Sequence, residues 1–411
     1  MQFSIHSWPK AIAHIDADAF FVSCERALNP ELNGKCVVVG KERGIITALS
    51  YEAKAKGLKR GMRTFEAKKI CPGVIAMESD YEAYSLFSVR MFGILKNFSP
   101  AVEEYSIDEA FLDLTGLRRL FSSSYEDLAK KIQGRIGWEL SISVSVGVGI
   151  TKTLAKIASN FKKPGGITVI EGKDIEAYIK DIPIEDVWGI GHNTSSLLKK
   201  FGINSALDFA LKDEGFVNKY LSKPYKETWL ELKGKPVLGI DASGKSMYKT
   251  ISKTKTFYPP SDDETFLFSE LTKNLENACL KARRFSLAAT KLTVFLKTRD
   301  FKTLGAEIKL SSPASLPPML MEALREGFNE IYYKDFLYRQ TGVVLHLADA
   351  VQYSLFDDIA RIEKITRIYN SIDGINKKFG RNSVHLASSM PSAIGDGRGQ
   401  KTNIPVIDIK V

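Results

Sequence analysis

Cysteine is scarce in this sequence: Cys24, Cys36, Cys71 and Cys279 are scattered over 411 positions, and none forms a C-x-x-C pair. The five histidines do not cluster near them. This argues against a zinc site or a disulfide framework and for reduced thiols. No apolar run approaches the roughly 18 residues that a membrane helix needs. The first ten residues, MQFSIHSWPK, lack the apolar stretch of a signal peptide. No internal repeats are visible. A cytoplasmic, globular protein is the expectation.

What is present is length and positive charge. At roughly 100–200 residues per domain, the chain suggests two to four domains. That is enough to bury several cores without a metal or disulfide staple. Hydrophobic residues at 44% and charged residues at 26% suit a soluble globular chain. Lys plus Arg number 58 against 48 Asp plus Glu, a formal charge of +10. Such an excess suits a polyanionic partner, nucleic acid first and an anionic membrane second. A merely basic soluble protein would carry the same charge.

Residues 11–21 read as a buried strand running into a helix, 36–40 and 44–50 as short strands, and 52–71 as helical with breaks at Gly57 and Gly61. A helical stretch covers 80–97. Residues 101–116 (AVEEYSIDEAFLDLTG) read as two short strands meeting near Ser106. The clearest strand is 141–150, with apolar residues alternating at Ile142, Val144, Val146, Val148 and Ile150. A helix over 151–161, the breaker Pro164-Gly165-Gly166 and the strand ITVI follow. One α+β sheet with helices on a face fits this order. Residues 174–233 are helical, and 239–249 (GIDASGKSMYK) read as a linker. Residues 249–350 run strand, helix, two strands, helix, strand, the order of a ferredoxin-like unit. Residues 351–411 read as a tail with one helical pattern at Ile359, Ile362, Ile365 and Ile372 and a mobile Gly/Pro/Ser-rich end.

Two acidic clusters carry the chemistry: Asp16 and Asp18 at a strand end, and Asp108-Glu109 between two strands. Side chains alternate on a straight strand, so Asp108 and Glu109 serve one site only if the chain turns or bulges there. Three carboxylates from two strand ends suit a pair of Mg²⁺ ions, which take hard oxygen ligands and bridge to substrate phosphates. Solvated strand-end acids are the alternative. Tyr51-Glu52-Ala53-Lys54 sits at a strand-to-helix junction, a place that favours an anion. Lys156 and Lys163 flank the break at Pro164 and suit a triphosphate or plain surface.

Five motifs resemble the Y-family (DinB/UmuC type) translesion DNA polymerases: IDADAFFVSCE (15–25), ALSYEAKAKGLKRGM (48–62), YSIDEAFLDLTG (105–116), SVGVGITKTLAKIASNFKKPGGITVI (145–170) and VWGIGHNTSSLLKKFGI (187–203). They stand in the family's order over the first half of the chain. The resemblance implies an α+β multidomain, right-hand polymerase with a ferredoxin-like palm, small fingers, a helical helix-hairpin-helix thumb and a ferredoxin-like little finger. The implied spans are 1–19 and 80–173 for the palm, 20–79 for the fingers, 174–238 for the thumb, 239–248 for a linker, 249–350 for the little finger and 351–411 for the tail. It implies two Mg²⁺ ions on Asp16, Asp108, Glu109 and the backbone carbonyl of Ala17. Phe21 matches the steric gate, an aromatic where a ribose 2′-OH would sit, and its neighbour Phe20 is grouped with it, more as packing than as contact. Tyr51, Lys54 and Lys163 match the triphosphate contacts. Two departures stand out. Lys54 replaces a frequent Arg and lacks its planar fork. Ala48 stands where a Thr often lies, with Thr47 adjacent.

Trp188-Gly189-Ile190-Gly191 and a following helix bearing Lys199 resemble the family's DNA-gripping helix-hairpin-helix, in which Gly189 and Gly191 let backbone amides approach phosphate. Lys249, Lys253 and Lys255 alternate on one strand, on a face suited to DNA or on a guarded edge. In the tail, Gln352, Leu355 and Phe356 resemble the peptide with which bacterial proteins dock on the sliding clamp. The resulting reading is a template-directed DNA polymerase that copies damaged DNA in an error-prone SOS response, with primer-template DNA, dNTP and a sliding clamp as partners. A two-metal nuclease or cyclase is disfavoured by the triphosphate contacts and Phe21, and a non-catalytic scaffold by the intact acidic trio. A self-sufficient DinB-like enzyme and a UmuC-like one using UmuD-like or recombinase accessory proteins both remain. The stretch 226–239, ending in LKGKPVLG, leans to the UmuC side.

Overall fold

The computed structural model describes residues 5–243, 248–348, 359–380 and 383–390. Gln352, Leu355 and Phe356 lie outside the described residues. The chain divides into two compact units, residues 1–244 and 245–411. In chain order the strands of the first unit are β1 (Ile12–Ala17), β2 (Val37–Val39), β3 (Ala48–Leu49), β4 (Ile75–Met77), β5 (Val102–Glu104), β6 (Glu109–Asp113), β7 (Val144–Gly149) and β8 (Ile167–Val169). Those of the second are β9 (Thr250–Ser261), β10 (Ala288–Thr298), β11 (Thr303–Ala314) and β12 (Tyr338–Ala348).

The first unit is built on a five-stranded sheet of order β5-β6-β1-β7-β8, antiparallel except for the β7–β8 pair. Period-2 alternation gives each central strand two jobs. Ala13, Ile15 and Ala17, with Val144, Val146 and Val148, bury into a core shared with the helices Tyr81–Lys96 and Tyr125–Leu140. On the other side Ile12 meets Phe111 and Ala155, and the helix Lys152–Phe161 lies almost on the backbone. A Cβ at Gly147 would stand 2.1 Å from the Ser159 nitrogen and 2.2 Å from the Ala155 oxygen. The alternating valines of β7 therefore mark the core side, and the glycines between them mark the close helix contact. The helix Tyr125–Leu140 is the element that the sequence reading passes over. Ser124 and Asp127 form a capping box at its start, and its valley of buried residues runs Leu128, Ile132, Ile136.

A smaller sheet, β3-β2-β4, and the helices Tyr51–Ala55 and Thr64–Ile70 close a separate core around Val38, Ile46 and Leu58. The helix Phe20–Leu28 buries Phe20, Val22 and Cys24 in the main core. The helices between Ile175 and Leu232 pack with Ile150, Leu154 and Ile157 of the first sheet's helix side. Glu231, fully buried, ties this end down: its carboxylate accepts from Thr153, Val237 and Leu238 nitrogens at 3.1, 2.9 and 3.0 Å. The start of the expected linker is thus fastened, and Glu103 extends the hold by accepting from the Asp241 nitrogen at 2.8 Å.

The second unit is a four-stranded antiparallel sheet of order β11-β10-β12-β9. With the helices Glu264–Arg284 and Pro317–Ile331 it forms two split βαβ units, each with a strand of the other between its own. The helical pattern expected from Ile359 to Ile372 is a helix, Ile359–Phe379, docked on this unit. Arg283 holds it with two hydrogen bonds to Asp373, at 2.9 and 2.8 Å, and stacks over the Tyr369 ring.

Candidate active site

The sheet register brings the first acids together. Asp16 on β1 pairs with Glu109 on β6 and with Ser145 on β7, on the side that faces the helix Lys152–Phe161. Asp108 sits in the bend before β6, where the strand pattern breaks as expected near Ser106. The Tyr105 and Ser106 nitrogens both donate to the Glu109 carbonyl at 3.1 Å, and Ser106 Oγ donates to Asp108 Oδ1 at 2.6 Å. The Ala17 nitrogen donates to the Asp108 carbonyl at 2.9 Å, which binds the two strand ends to each other.

Two lysines face these acids. Lys163 Nζ lies 2.6 Å from Asp16 Oδ2, and Lys156 Nζ lies 2.6 Å from Glu109 Oε2. Burial is the main influence on Asp16 and lifts its carboxyl to about 6, against the opposing pull of Lys163. Burial also pushes Glu109 upward, but the His14 ring 3.7 Å away and the Lys156 ammonium, hydrogen-bonded at 2.6 Å, outweigh it and bring Glu109 down to about 2. His14 is fully buried, which lowers it to about 4, and its Nδ1 is 2.7 Å from Ser159 Oγ. At neutral pH His14 is uncharged beside an ionised Glu109.

A divalent cation would find suitable chemistry here. Three carboxylates and the Ala17 carbonyl are hard oxygen donors from adjoining chain segments. Among the described residues, however, no three His, Cys, Asp or Glu side chains are gathered tightly enough to hold a metal as they stand. Asp16 and Glu109 each face an ammonium group, so taking up a cation means exchanging a lysine for it. The fit is one of donor type and placement.

Close to these acids lies Asp18, which is 3% exposed. Its carboxylate accepts from Ser143 Oγ and Ser145 Oγ, both at 2.7 Å, from the Gly165 nitrogen at 2.8 Å, and from the Tyr51 hydroxyl at 3.4 Å. One acid thus fastens β7, the loop after Lys163 and the helix Tyr51–Ala55 to the end of β1. The Lys54 ammonium lies 4.4 Å from the centroid of the Tyr51 ring. The hydroxyl of Thr47, next to Ala48, donates to the Val39 carbonyl at 3.0 Å. Phe21 is partly exposed, stacked on Tyr84 and edge-on to Tyr81. Phe20 is 3% exposed and belongs to the core.

Gly189 adopts a left-handed φ of 87°, and Gly191 caps the helix His192–Lys200 with no side-chain hydrogen bond. Its first amides are left for another acceptor. Lys199 is ion-paired with Glu185 at 2.7 Å. In the second unit, Lys253 and Lys255 share the side of β9 with buried Ile251 and with Phe257, which packs on the core. Their partners Val343 and Thr341 are buried too. The lysine face expected from alternation, with Lys249 just ahead of the strand, is therefore the margin of the helix-covered side. The open side presents Thr250, Ser252, Thr254 and Thr256, and on the neighbouring strands Lys291 and Lys309.

The chain matches models of one family along most of its length. Residues 15–160 match the impB/mucB/samB family, 172–203 the HHH motif of that family, and 248–355 its C-terminal domain. DNA polymerase IV of Dehalococcoides mccartyi (strain CBDB1) is 32% identical over 389 residues, covering 91% of this chain and 96% of that protein. DNA polymerase IV of Bacillus velezensis is 30% identical and covers 96% of each. A solved Y-family DNA polymerase chimera of Dbh and Dpo4 aligns with a TM-score of 0.70 at 26% identity, over 82% of this chain and 98% of the chimera. The chain belongs to the Y-family DNA polymerases. It is of the DinB type, a DNA-directed DNA polymerase, and the lean of residues 226–239 to the UmuC side is overturned by the DNA polymerase IV relatives. Membership in the family implies dependence on a divalent cation.

Sequence reasoning left three groups unassigned: His14, the anchoring role of Asp18, and the Tyr84–Glu25 pair behind Phe21. His14 was legible by period 2, since it shares the Asp16 side of β1. Asp18 and Tyr84 needed contacts between segments distant in the chain.

Proposed function

We propose that this polymerase copies damaged templates by two-metal nucleotidyl transfer. The observation that carries the reading is the register that sets Asp16 opposite Glu109, with Asp108 in the adjoining bend. Asp16, Asp108, Glu109 and the Ala17 carbonyl would hold two Mg²⁺ ions. Bound there, the ions would activate the primer hydroxyl and offset charge on the triphosphate and leaving pyrophosphate. The remaining work is positioning and electrostatics. Lys163, Tyr51 and Lys54 orient the triphosphate, with Asp18 holding Tyr51 and the loop after Lys163 in place. Phe21 faces the sugar and rejects a 2′-hydroxyl by overlap. Gly189 and Gly191 offer backbone amides to a DNA phosphate, a contact that carries no sequence information. The 1–19/80–173 palm, 20–79 fingers, 174–238 thumb and 249–350 little finger are the parts we assign.

Error-prone synthesis during an SOS response in the cytoplasm is the setting we assign. We further propose that Gln352, Leu355 and Phe356 tether the enzyme to a sliding clamp, which raises its local concentration on DNA without altering its chemistry. Extension of a labelled primer on an undamaged and a lesion-bearing template tests the reading. Extension past the lesion with Mg²⁺ is expected. Failure to extend either template at any Mg²⁺ concentration contradicts it.

A further inference from the structure

An aromatic that excludes a hydroxyl by overlap discriminates only as strongly as its ring resists displacement. If the ring can move aside at low cost, the larger sugar enters. The stiffness of Phe21 therefore sets the limit of sugar choice, and that stiffness has a visible source behind the ring.

Phe21 and Glu25 are one turn apart on the helix Phe20–Leu28, so both project from the same face. Tyr84, from the helix Tyr81–Lys96, fits between them. Its ring stacks on Phe21 with centroids 4.5 Å apart and planes 14° from parallel. Its hydroxyl donates to Glu25 Oε1 at 2.5 Å. Tyr81 closes the group with edge contacts to both rings, at 5.4 and 5.9 Å. Tyr84 is fully buried and Glu25 is 8% exposed.

We propose that Glu25 is a positioning residue for sugar discrimination, acting through Tyr84 to hold the Phe21 ring in place. The inference rests on the assignment of Phe21 to the sugar. A buried carboxylate is a costly way to fill space, and an apolar side chain would pack there without the desolvation penalty. What the carboxylate adds is direction. It fixes the far end of Tyr84, so the tyrosine ring cannot slide along the stack. Phe21 can yield to a 2′-hydroxyl only by pushing Tyr84, and Tyr84 can yield only by breaking its bond to Glu25. Because Phe21 and Glu25 belong to one helix, the brace closes on itself.

The test compares kcat/KM for a deoxynucleotide and its ribonucleotide opposite the same template base, in Glu25→Ala, Glu25→Gln, Tyr84→Phe and Phe21→Ala. Glu25→Ala and Tyr84→Phe should each lower the ratio about tenfold, or ~1.4 kcal/mol. Most of that change should come from faster ribonucleotide use. Glu25→Gln keeps an acceptor oxygen for the Tyr84 hydroxyl and should restore most of the ratio, which a mere packing role would not require. In a Phe21→Ala background, Glu25→Ala should lower the ratio no further, since coupled residues are not additive. If Glu25→Ala folds poorly, Tyr84→Phe removes one oxygen atom and reads the same bond. A normal ratio in Tyr84→Phe or Glu25→Ala overturns the proposal while leaving the gate intact. An equal loss of discrimination on adding Glu25→Ala to Phe21→Ala overturns it as well. A normal ratio in Phe21→Ala alone overturns the gate assignment and the brace together.

Discussion

Lys163→Met removes the ammonium group that faces Asp16 and leaves a side chain of similar length. In the wild-type protein that ammonium lies 2.6 Å from Asp16 Oδ2, with the lysine side chain 25% exposed. A hydrogen bond to a charged group is worth about 1.5–3 kcal/mol, and partial exposure places this one at the low end. One pKa unit corresponds to about 1.4 kcal/mol, so Asp16 should rise by roughly one unit above its present value of about 6. The sign follows from linkage. Asp16 is already raised above its ordinary 3.8, so its protonated form stabilises the metal-free fold. That contribution is fully present below 3.8 and is lost as pH rises through about 6. In the variant the loss moves to higher pH. Metal binding needs the ionised carboxylate, so incorporation should rise with pH along a limb displaced to the alkaline side. Loss of the triphosphate contact adds a further drop, about 10²-fold in kcat/KM by analogy with removal of one preorganised donor. The assay is single-turnover incorporation of one nucleotide between pH 5.5 and 8.5 at fixed free Mg²⁺, about half a unit per step, to resolve a shift of this size. A variant whose acid limb coincides with the wild type, and whose kcat/KM is close to normal, would refute the electrostatic pairing of Lys163 with Asp16.

Three further outcomes follow from the same structure. Phe21→Ala should raise ribonucleotide incorporation, read as a fall in the dCTP-to-CTP ratio of kcat/KM opposite template G; an unchanged ratio makes Phe21 core rather than gate. Gly147→Ala should destabilise the protein by several kcal/mol, about the upper range for a core overpacking change, because its Cβ meets helix backbone that cannot give way; a thermal melt at the wild-type temperature contradicts the close packing of the helix Lys152–Phe161 on β7. The double change Leu355→Ala, Phe356→Ala should abolish stimulation by a loaded clamp while extension on naked primer-template persists; a lower melting temperature with stimulation intact would sink the tether.

Much of this enzyme was legible in local pattern. The alternation at Ile142–Ile150 marked β7, the break near Ser106 marked the turn that presents Asp108, and the segment 11–21 read as a buried strand passing into a helix. What escaped was contact between distant segments. Asp18 looks like a second strand-end acid, yet its partners lie more than thirty residues away, at Tyr51, Ser143, Ser145 and Gly165. The lysines of β9 alternate as a solvent face would, but the side they occupy is set by Ile251 and by the strand alongside. Phe20 and Phe21 are adjacent and chemically identical, and only packing separates a core residue from a partly exposed one. The helix Ile359–Phe379 is held by Arg283, paired bidentately with Asp373 and stacked over the buried Tyr369 ring, contacts that no local signal announces.

The most direct test of the account is primer extension by Asp108→Ala and Glu109→Gln, with DNA binding followed in parallel by fluorescence anisotropy. Both variants should bind primer-template with near-normal affinity, because the amides at Gly189 and Gly191 and the basic second unit lie away from these acids in the chain. Both should lose incorporation by several orders of magnitude across the full Mg²⁺ range, about what removal of an essential catalytic group costs. Extension by Asp108→Ala at a near wild-type rate would contradict the assignment of this acidic trio as the catalytic centre.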